Sequence, residues 1–318
     1  MLEIHSPYMA AAGVLAARRD AFGIRTFQWH SDFIDTYGGV LEDRLPLLLR
    51  PIVGPAVAPL WSLVRAIAAR CDATLVASRW QVQKLEAHGV PRVVHRPFGI
   101  EKAVFRPEAR SAEARRELLA RARRAGDDRA TILVAVGRFA IEKRWDVVLD
   151  AFHRLRAAGR DAILVLFGDG PERDRMRARA AGPFEGDVVF AGFAKDRGAL
   201  ARALASADLL VHACPFETFG LSIAEALSCG LPAVVPDDGG AFEMHDPASG
   251  EAYPAGDAAA CAAAAVRLIE RLAADEAAVR AAAARTGGRL PSVEGHFAEQ
   301  VELYRDLKRG LAKPRRAY

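Results

Sequence analysis

The stretch TILVAVGRFAIEKRWDVVLDAFHRLRAAGRDAILVLFG, residues 131–168, decides the fold. It passes from a β-branched apolar run through a charged loop and a helical pattern, DVVLDAFHRL, into a second apolar run. The rhythm continues with PERDRMRARA as helix, VVFAG as strand, GALARALASA as helix, LLVHA as strand, a helix inside PFETFGLSIAEALSCG, and LPAVVP as the last strand. Near-continuous apolar strands alternating with helices mean parallel βαβ units, with helices on both faces of an open sheet. The expected domain is α/β and doubly wound, and such sheets take ligands at the carboxyl ends of their strands.

Upstream, EIHS, RTFQW, ATLVAS and RVVHRPFG also read as strands, separated by MAAAGVLAARR, a long helical block and RWQVQKLEAHGV. They predict a second, shorter α/β domain. PFGIEKAVFRPEARSAE, from Pro97, mixes proline, glycine and charge, which places the interdomain connection there. The expected division is a first, incomplete domain at 1–107 and a second at 108–292. A helix from Val293, within residues 293–318, packs back on the first domain and ends in the basic tail KPRRAY. AAACAAAAVRL, Ala258 to Leu268, is a helix by propensity.

With 51% hydrophobic residues among 318, the chain can bury two cores, so disorder is not the default. The net charge of +4 suits anionic partners. Basic residues are interspersed with acids, so nucleic acid is not an expected partner. Cys71, Cys214, Cys229 and Cys261 show neither metal-ligand nor disulfide spacing and predict buried thiols. Met1 to His5 is too short and polar to open a secretory leader, so the expected location is cytoplasmic. LPLLLRPIVGPAVAPLWSLVRAI, Leu45 to Ile67, is apolar, but Arg50, Arg65 and prolines at 51, 55 and 59 break a spanning helix. It reads as a core segment of the first domain, with a surface resting on the inner membrane face as the alternative.

Three places carry candidate chemistry. Glu217 and Glu225, with seven residues between them, flank a predicted helix start near Phe219 or Gly220. The free amides of Thr218, Phe219, Gly220 and Leu221 would make an anion site. Helical spacing turns Leu221, Ala224, Leu227 and Ser228 to the sheet and leaves Glu225 on the other side. A carboxylate beside an anion site is repulsive to phosphate but accepts well from sugar hydroxyls. The spacing leaves that reading level with one in which Glu217 complements the helix end and Glu225 is solvated surface. Arg138 and Lys143 follow the strand TILVAV, where a diphosphate needs its charge neutralised, or else they belong to a solvated loop. His30 ends the strand RTFQW, as a donor to phosphate or sugar or as a half-buried loop residue. Gly168 and Gly170 begin a dinucleotide fingerprint that fails at Arg173, and no P-loop occurs.

The blocks VGRFAIEKRWDVVLDAF, LVLFGDGPERDRM, VVFAGFAKDRGALARALASADLLVHACPFETFGLSIAEALSCGLPAVVPDDGGAFE and PAGD, in that order, resemble the C-terminal domain of retaining nucleotide-sugar glycosyltransferases of GT-B fold, family 4. The resemblance is dense over about residues 130 to 260 and thinner at QWHSDF, ATLVASRW and PFGIEKAVFRP. It implies two Rossmann-like domains facing a cleft. Arg138 and Lys143 would bind the donor diphosphate, and Glu217, first acid of an E-x7-E motif, the transferred sugar. The backbone of Thr218 to Leu221 would hold sugar and phosphate, Glu225 the ribose, and Gly192-Phe193 the base. His30 would approach sugar and phosphate. The implied reaction keeps the anomeric configuration, needs no metal or cofactor, and moves a mannose- or glucose-type hexose to a glycan or lipid-linked acceptor. GDP-mannose is the favoured donor, with UDP-sugars behind it.

This chain departs from the family at its start. Members begin with a strand and a glycine-bearing loop, whereas Leu2 opens what reads as a mid-domain strand, so about 80 residues of the usual first domain are expected to be missing. A non-catalytic or partner-dependent donor-binding subunit is therefore the competing expectation. An epimerase or phosphorylase of the same fold is disfavoured, because the E-x7-E match sits in a family 4 context and no lysine suggests pyridoxal.

Overall fold

Ten strands are found among the described residues of the computed structural model, and all of them pair in parallel. The structure describes residues 1–5, 9–18, 21–46, 49, 52–124, 126–127 and 129–310, and the tail KPRRAY lies outside them. Parallel neighbours cannot be joined by a tight turn, so helical crossovers run between the strands and cover the sheets. The chain divides into two compact units: Met1–Gly99 with Phe216–Phe219 and Val293–Tyr318, and Ile100–Pro215 with Gly220–Ser292.

In the first unit, β1 (Leu2–Ile4), β2 (Arg25–Trp29), β3 (Ala73–Val76) and β4 (Val93–His95) lie in the order β1-β2-β3-β4. β2 and β3 are buried at every position, as central parallel strands must be. One face packs Phe27, Trp29, Val64, Ile67 and Leu85. The other takes the helix Val293–Lys308, whose Leu303 sits on Ala73 and Leu75. Gln300 and Tyr304 on that helix both donate to Glu3 Oε1 of β1.

The proline-rich stretch lies in the long helical block read between RTFQW and ATLVAS. Val53–Ala69 is one helix despite Pro55 and Pro59. Pro55 lies in the first turn, where its missing N–H costs nothing, and Pro59 loses only the bond it would have made to Pro55. Trp61, Val64, Ile67 and Ala68 bury one face of this helix, while Ile52, Leu60 and Leu63 remain exposed beside the other. No helix among the described residues is long and apolar enough to cross a membrane.

The second unit holds β5 (Thr131–Val136), β6 (Ala162–Phe167), β7 (Val188–Gly192), β8 (Leu209–Val211), β9 (Ala233–Pro236) and β10 (Gly250–Tyr253), in the order β10-β9-β8-β5-β6-β7. β10 is a strand that the sequence reading stopped short of. Its sequence, GEAY, lacks an apolar run because this edge strand is only half covered. Residues 100–107, placed with the first domain by composition, group with the second unit instead. Ile100 N–H donates to Pro291 O at 3.0 Å, Lys102 Nζ donates to Gly287 O at 2.8 Å, and Phe105 is fully buried.

Several backbone contacts in the second unit admit only glycine. A Cβ on Gly168 would lie 1.9 Å from Gly137 O, and one on Gly170 would lie 2.4 Å from Phe139 O. The two glycines of the failed dinucleotide fingerprint thus let the loop after β6 lie backbone to backbone on the loop after β5. Gly287, near the end of the long helix Ala258–Gly288, presses likewise on the helix Leu221–Ser228: a Cβ there would be 2.4 Å from Ser228 N. Gly168→Ala, which meets backbone on one side and carries a φ of 151°, is expected to destabilise the second unit by about 3 kcal/mol. A fall of several degrees in its melting transition by calorimetry is the check.

Candidate functional site

Strand order in the second unit reverses between β5 and β8. One half of the sheet runs β5-β6-β7 and the other β8-β9-β10, so their crossovers leave the β5/β8 pair in opposite directions. A crevice at the carboxyl ends of such a pair is where open α/β sheets bind ligands. The loop after β5 carries Arg138 and Lys143, and the helix entered after β8, Leu221–Ser228, carries Glu225.

The β5 loop is anchored from below. Phe139 is buried edge-on to Trp145, at 5.0 Å between ring centroids, and Trp145 Nε1–H donates to Arg138 O at 2.9 Å. Arg144, at φ 50°, turns the chain from the short 3-10 turn Ile141–Lys143 into the helix Trp145–Ala157. This leaves Arg138 exposed and Lys143 half-buried on a loop whose backbone is fixed. Phe193 stands 72% exposed just past β7, after Gly192 at φ 77°.

The helix after β8 begins later than its sequence predicts. Gly220 is its N-cap in the left-handed region, φ 91°, and helical geometry starts at Leu221. Ile223 and Ala224 both donate to Gly220 O, so the leading amides are those of Leu221 and Ser222. Thr218 and Phe219 therefore precede the helix rather than forming its first turn, and they group with the first unit, whereas Gly220 and Leu221 belong to the second.

The expected faces of this helix also need correction. Leu221 is 46% exposed, and Glu225, read as lying on the solvent side, is 5% exposed. Its carboxylate accepts from Arg197 Nη2 at 2.8 Å. Burial pushes the Glu225 carboxyl above its usual range, with Arg197 opposing the shift and Glu101 adding to it.

In the first unit the residues around His30 assemble separately. His30 O, at the end of β2, accepts from Thr218 Oγ1 at 3.0 Å. The His30 ring stacks on Phe98 at 5.4 Å, and Phe98 meets Phe219 edge-on at 5.5 Å. On its other side His30 Nε2 lies 2.6 Å from His5 Nδ1, with the rings nearly parallel. His296 Nδ1 is 2.7 Å from Pro97 O. Glu217 is half-buried in the same segment as Thr218. A cavity of about 890 Å³ opens elsewhere in this unit, walled by Ile34, Trp61 and Phe216 and rimmed by Asp35, Glu42 and Arg65. The four cysteines are buried, and desolvation pushes the Cys71 thiol to about 11 and those of Cys229 and Cys261 to about 12.

Residues 130–271 match the family model described as Glycosyl transferases group 1. The match takes in all six strands of the second unit. Over 168 residues the chain is 36% identical to a GDP-mannose-dependent alpha-(1-6)-phosphatidylinositol dimannoside mannosyltransferase of Mycobacterium tuberculosis, covering 53% of this chain and 42% of that protein. Over 195 residues it is 34% identical to a GDP-mannose-dependent alpha-mannosyltransferase of Mycolicibacterium smegmatis, covering 61% and 47%. The matches thus span less than half the length of these relatives. Among solved structures, a glycosyltransferase from Rickettsia africae superposes with a TM-score of 0.74 at 16% identity, over 96% of this chain and 76% of that one. Anabaena Alr3699/HepE in complex with UDP and glucose gives 0.74 at 17% identity, over 96% and 78%. These are GT-B glycosyltransferases, and the fold of this chain is theirs.

Sequence reasoning about the second unit missed Arg197, which lies 28 positions from Glu225 in another helix. Its only local signal was a cation at a helix start, where an acid is usual. His5 was missed too, because pairing it with His30 requires knowing that β1 and β2 are neighbours. Burial, then repulsion from His5, holds the His30 imidazole below its ordinary value, with Glu3 opposing and His296 assisting. Since protonated His5 repels protonated His30, His5→Gln is expected to raise the midpoint of His30. An NMR titration of labelled histidine rings reads the direction; an unchanged or lowered midpoint would refute the coupling.

Proposed function

We propose that this chain is a retaining hexosyltransferase that moves a mannose- or glucose-type sugar from a nucleoside diphosphate sugar, GDP-mannose first, to a glycan or lipid-linked acceptor. The observation that carries the reading is the reversal of strand order at β5/β8, with two cations after one strand and a helix N-terminus after the other. That arrangement suits a diphosphate between basic side chains and backbone amides. The GDP-mannose dependence of the mycobacterial relatives supports the choice of donor.

In this reading Arg138 and Lys143 neutralise the diphosphate, and the leading amides of the helix, Leu221 above all, take its remaining oxygens. Glu225 accepts from the ribose hydroxyls, Glu217 from those of the transferred sugar, and the exposed Phe193 ring lies against the base. His30, held largely neutral, donates one hydrogen bond to a sugar or phosphate oxygen, and Thr218 fixes its backbone. As the bond from sugar to phosphate breaks, negative charge grows on the leaving diphosphate. Preformed cations and amides stabilise that charge more than the ground state, which is the main catalytic term expected without a metal. The acceptor belongs to the first unit, whose cavity offers an apolar wall and a polar rim. Peripheral contact with the inner membrane face, through Ile52, Leu60 and Leu63, fits a lipid-linked acceptor and a cytoplasmic location.

Calorimetric titration with GDP-mannose, UDP-glucose and ADP-glucose in the presence of a chelator tests the donor class, and GDP-mannose is expected to bind best. Lys143→Ala is expected to abolish transfer and weaken nucleotide binding, and Glu217→Ala to abolish transfer while leaving the nucleotide bound. Full turnover in the Lys143 variant would overturn its role. Tight donor binding by the wild type, with no transfer to any lipid or glycan acceptor, would favour the donor-binding subunit over the enzyme.

A further inference from the structure

Resting on the reading of Glu225 as the ribose-holding acid, we propose that Arg197 is a positioning residue for it, holding one carboxylate oxygen so that the other is left for a vicinal diol. The geometry is asymmetric. The Glu225 side chain is 7% exposed and that of Arg197 is 46% exposed, so the acid is fixed inside the domain and the guanidinium covers it from the solvent side. The contact is single, from Arg197 Nη2 to Glu225 Oε1 at 2.8 Å, rather than the two-pronged pairing that a free guanidinium and carboxylate prefer. Among the described residues no other group donates to the Glu225 side chain.

Arg197 is itself held away from the two-pronged geometry. Its guanidinium lies over the Phe105 ring, 4.6 Å from the centroid, and its Nε is 3.6 Å from Glu101 Oε2. Phe105 is 1% exposed and cannot follow a moving arginine. The backbone of Arg197 is fixed at the start of the helix Arg197–Ser206, where Asp196 caps by accepting from Gly198 N–H. Three elements therefore meet at one cation: the segment after β4, the helix after β7 and the helix after β8.

The consequence is electrostatic. A carboxylate removed from water tends to take up a proton, and a neutral acid accepts less strongly from hydroxyls. The titratable and charged groups facing Glu225 are Arg197, which favours its ionised form, Glu101, which opposes it, and Cys229, whose thiol stays neutral at about 12. Arg197 is the cation of this set, so its removal pushes the carboxyl further above its usual range. Nucleotide binding then falls off more steeply toward acid than in the wild type, recovering as the carboxyl ionises.

The experiment measures binding of GDP, UDP and ADP, each beside its 2′,3′-dideoxy form, to wild type, Arg197→Met, Arg197→Lys and Glu225→Gln between about pH 6 and pH 8.5. For the nucleotide that binds best, Arg197→Met is expected to lose roughly tenfold or more at the acid end, the worth of a charge-assisted hydrogen bond, and to regain much of it at the alkaline end. The dideoxy form, lacking the diol, is expected to bind wild type and Arg197→Met alike, which also shows that the variant is folded. Arg197→Lys, which keeps the charge, is expected to keep the wild-type profile. If Glu225→Gln weakens the diol-bearing nucleotide while Arg197→Met matches wild type at every pH, the positioning role is overturned and the ribose reading stands. If Glu225→Gln itself binds as wild type does, the ribose reading falls and takes this one with it.

Discussion

Strict parallel pairing is the constraint from which the rest of this structure follows. Each strand must return to its starting edge before the next can pair, so every connection of the sheet passes over a face as a helix or an extended crossover. All carboxyl ends then collect along one edge of each sheet, and the loops there are released from pairing. In the second unit the sixfold sheet reverses direction at β5 and β8, which leaves a gap that neither neighbouring crossover fills. The cations of one loop and the helix start of the other flank that gap because topology brings them there, not because they attract each other.

What the sequence revealed follows from the same constraint. Strands buried on both faces are mostly apolar, so β5 and β6 stand out as unbroken runs, and the alternation with helices exposes the fold class. β10 does not stand out, since an edge strand may carry Glu251 and still pair. The helix Val53–Ala69, part of the long helical block, survives its prolines because a first-turn proline loses no bond and tertiary burial of Trp61 and Ile67 outweighs the second. The start of the Glu225 helix was misplaced by a residue or two because Gly220 takes a left-handed conformation that no propensity scale encodes.

The candidate site was legible in its residue types and illegible in its electrostatics. Arg138 and Lys143 advertise themselves by following a buried strand. Glu225 looks like surface in sequence, because helical spacing alone assigns polar residues outward. Only the fold shows that this acid is buried and that its counter-charge comes from a different helix. The same holds for His30, whose neighbours His5 and Phe98 come from the ends of other strands. Long-range pairs of this kind carry no pattern in one sequence, since the spacing between partners is set by the intervening crossovers.

Gly287 touches no proposed ligand, yet its backbone abuts the last turn of the helix whose first turn offers the leading amides and whose middle carries Glu225. A helix is stiff along its axis, so displacement at one end appears almost undiminished at the other. Position 287 therefore acts as a mechanical stop. Any side chain there would slide the helix toward its own N-terminus and carry both amides and carboxylate out of register with the rigidly seated β5 loop. The placement of these groups in the second unit is thus set partly by the absence of an atom at a residue some sixty positions downstream of the acid.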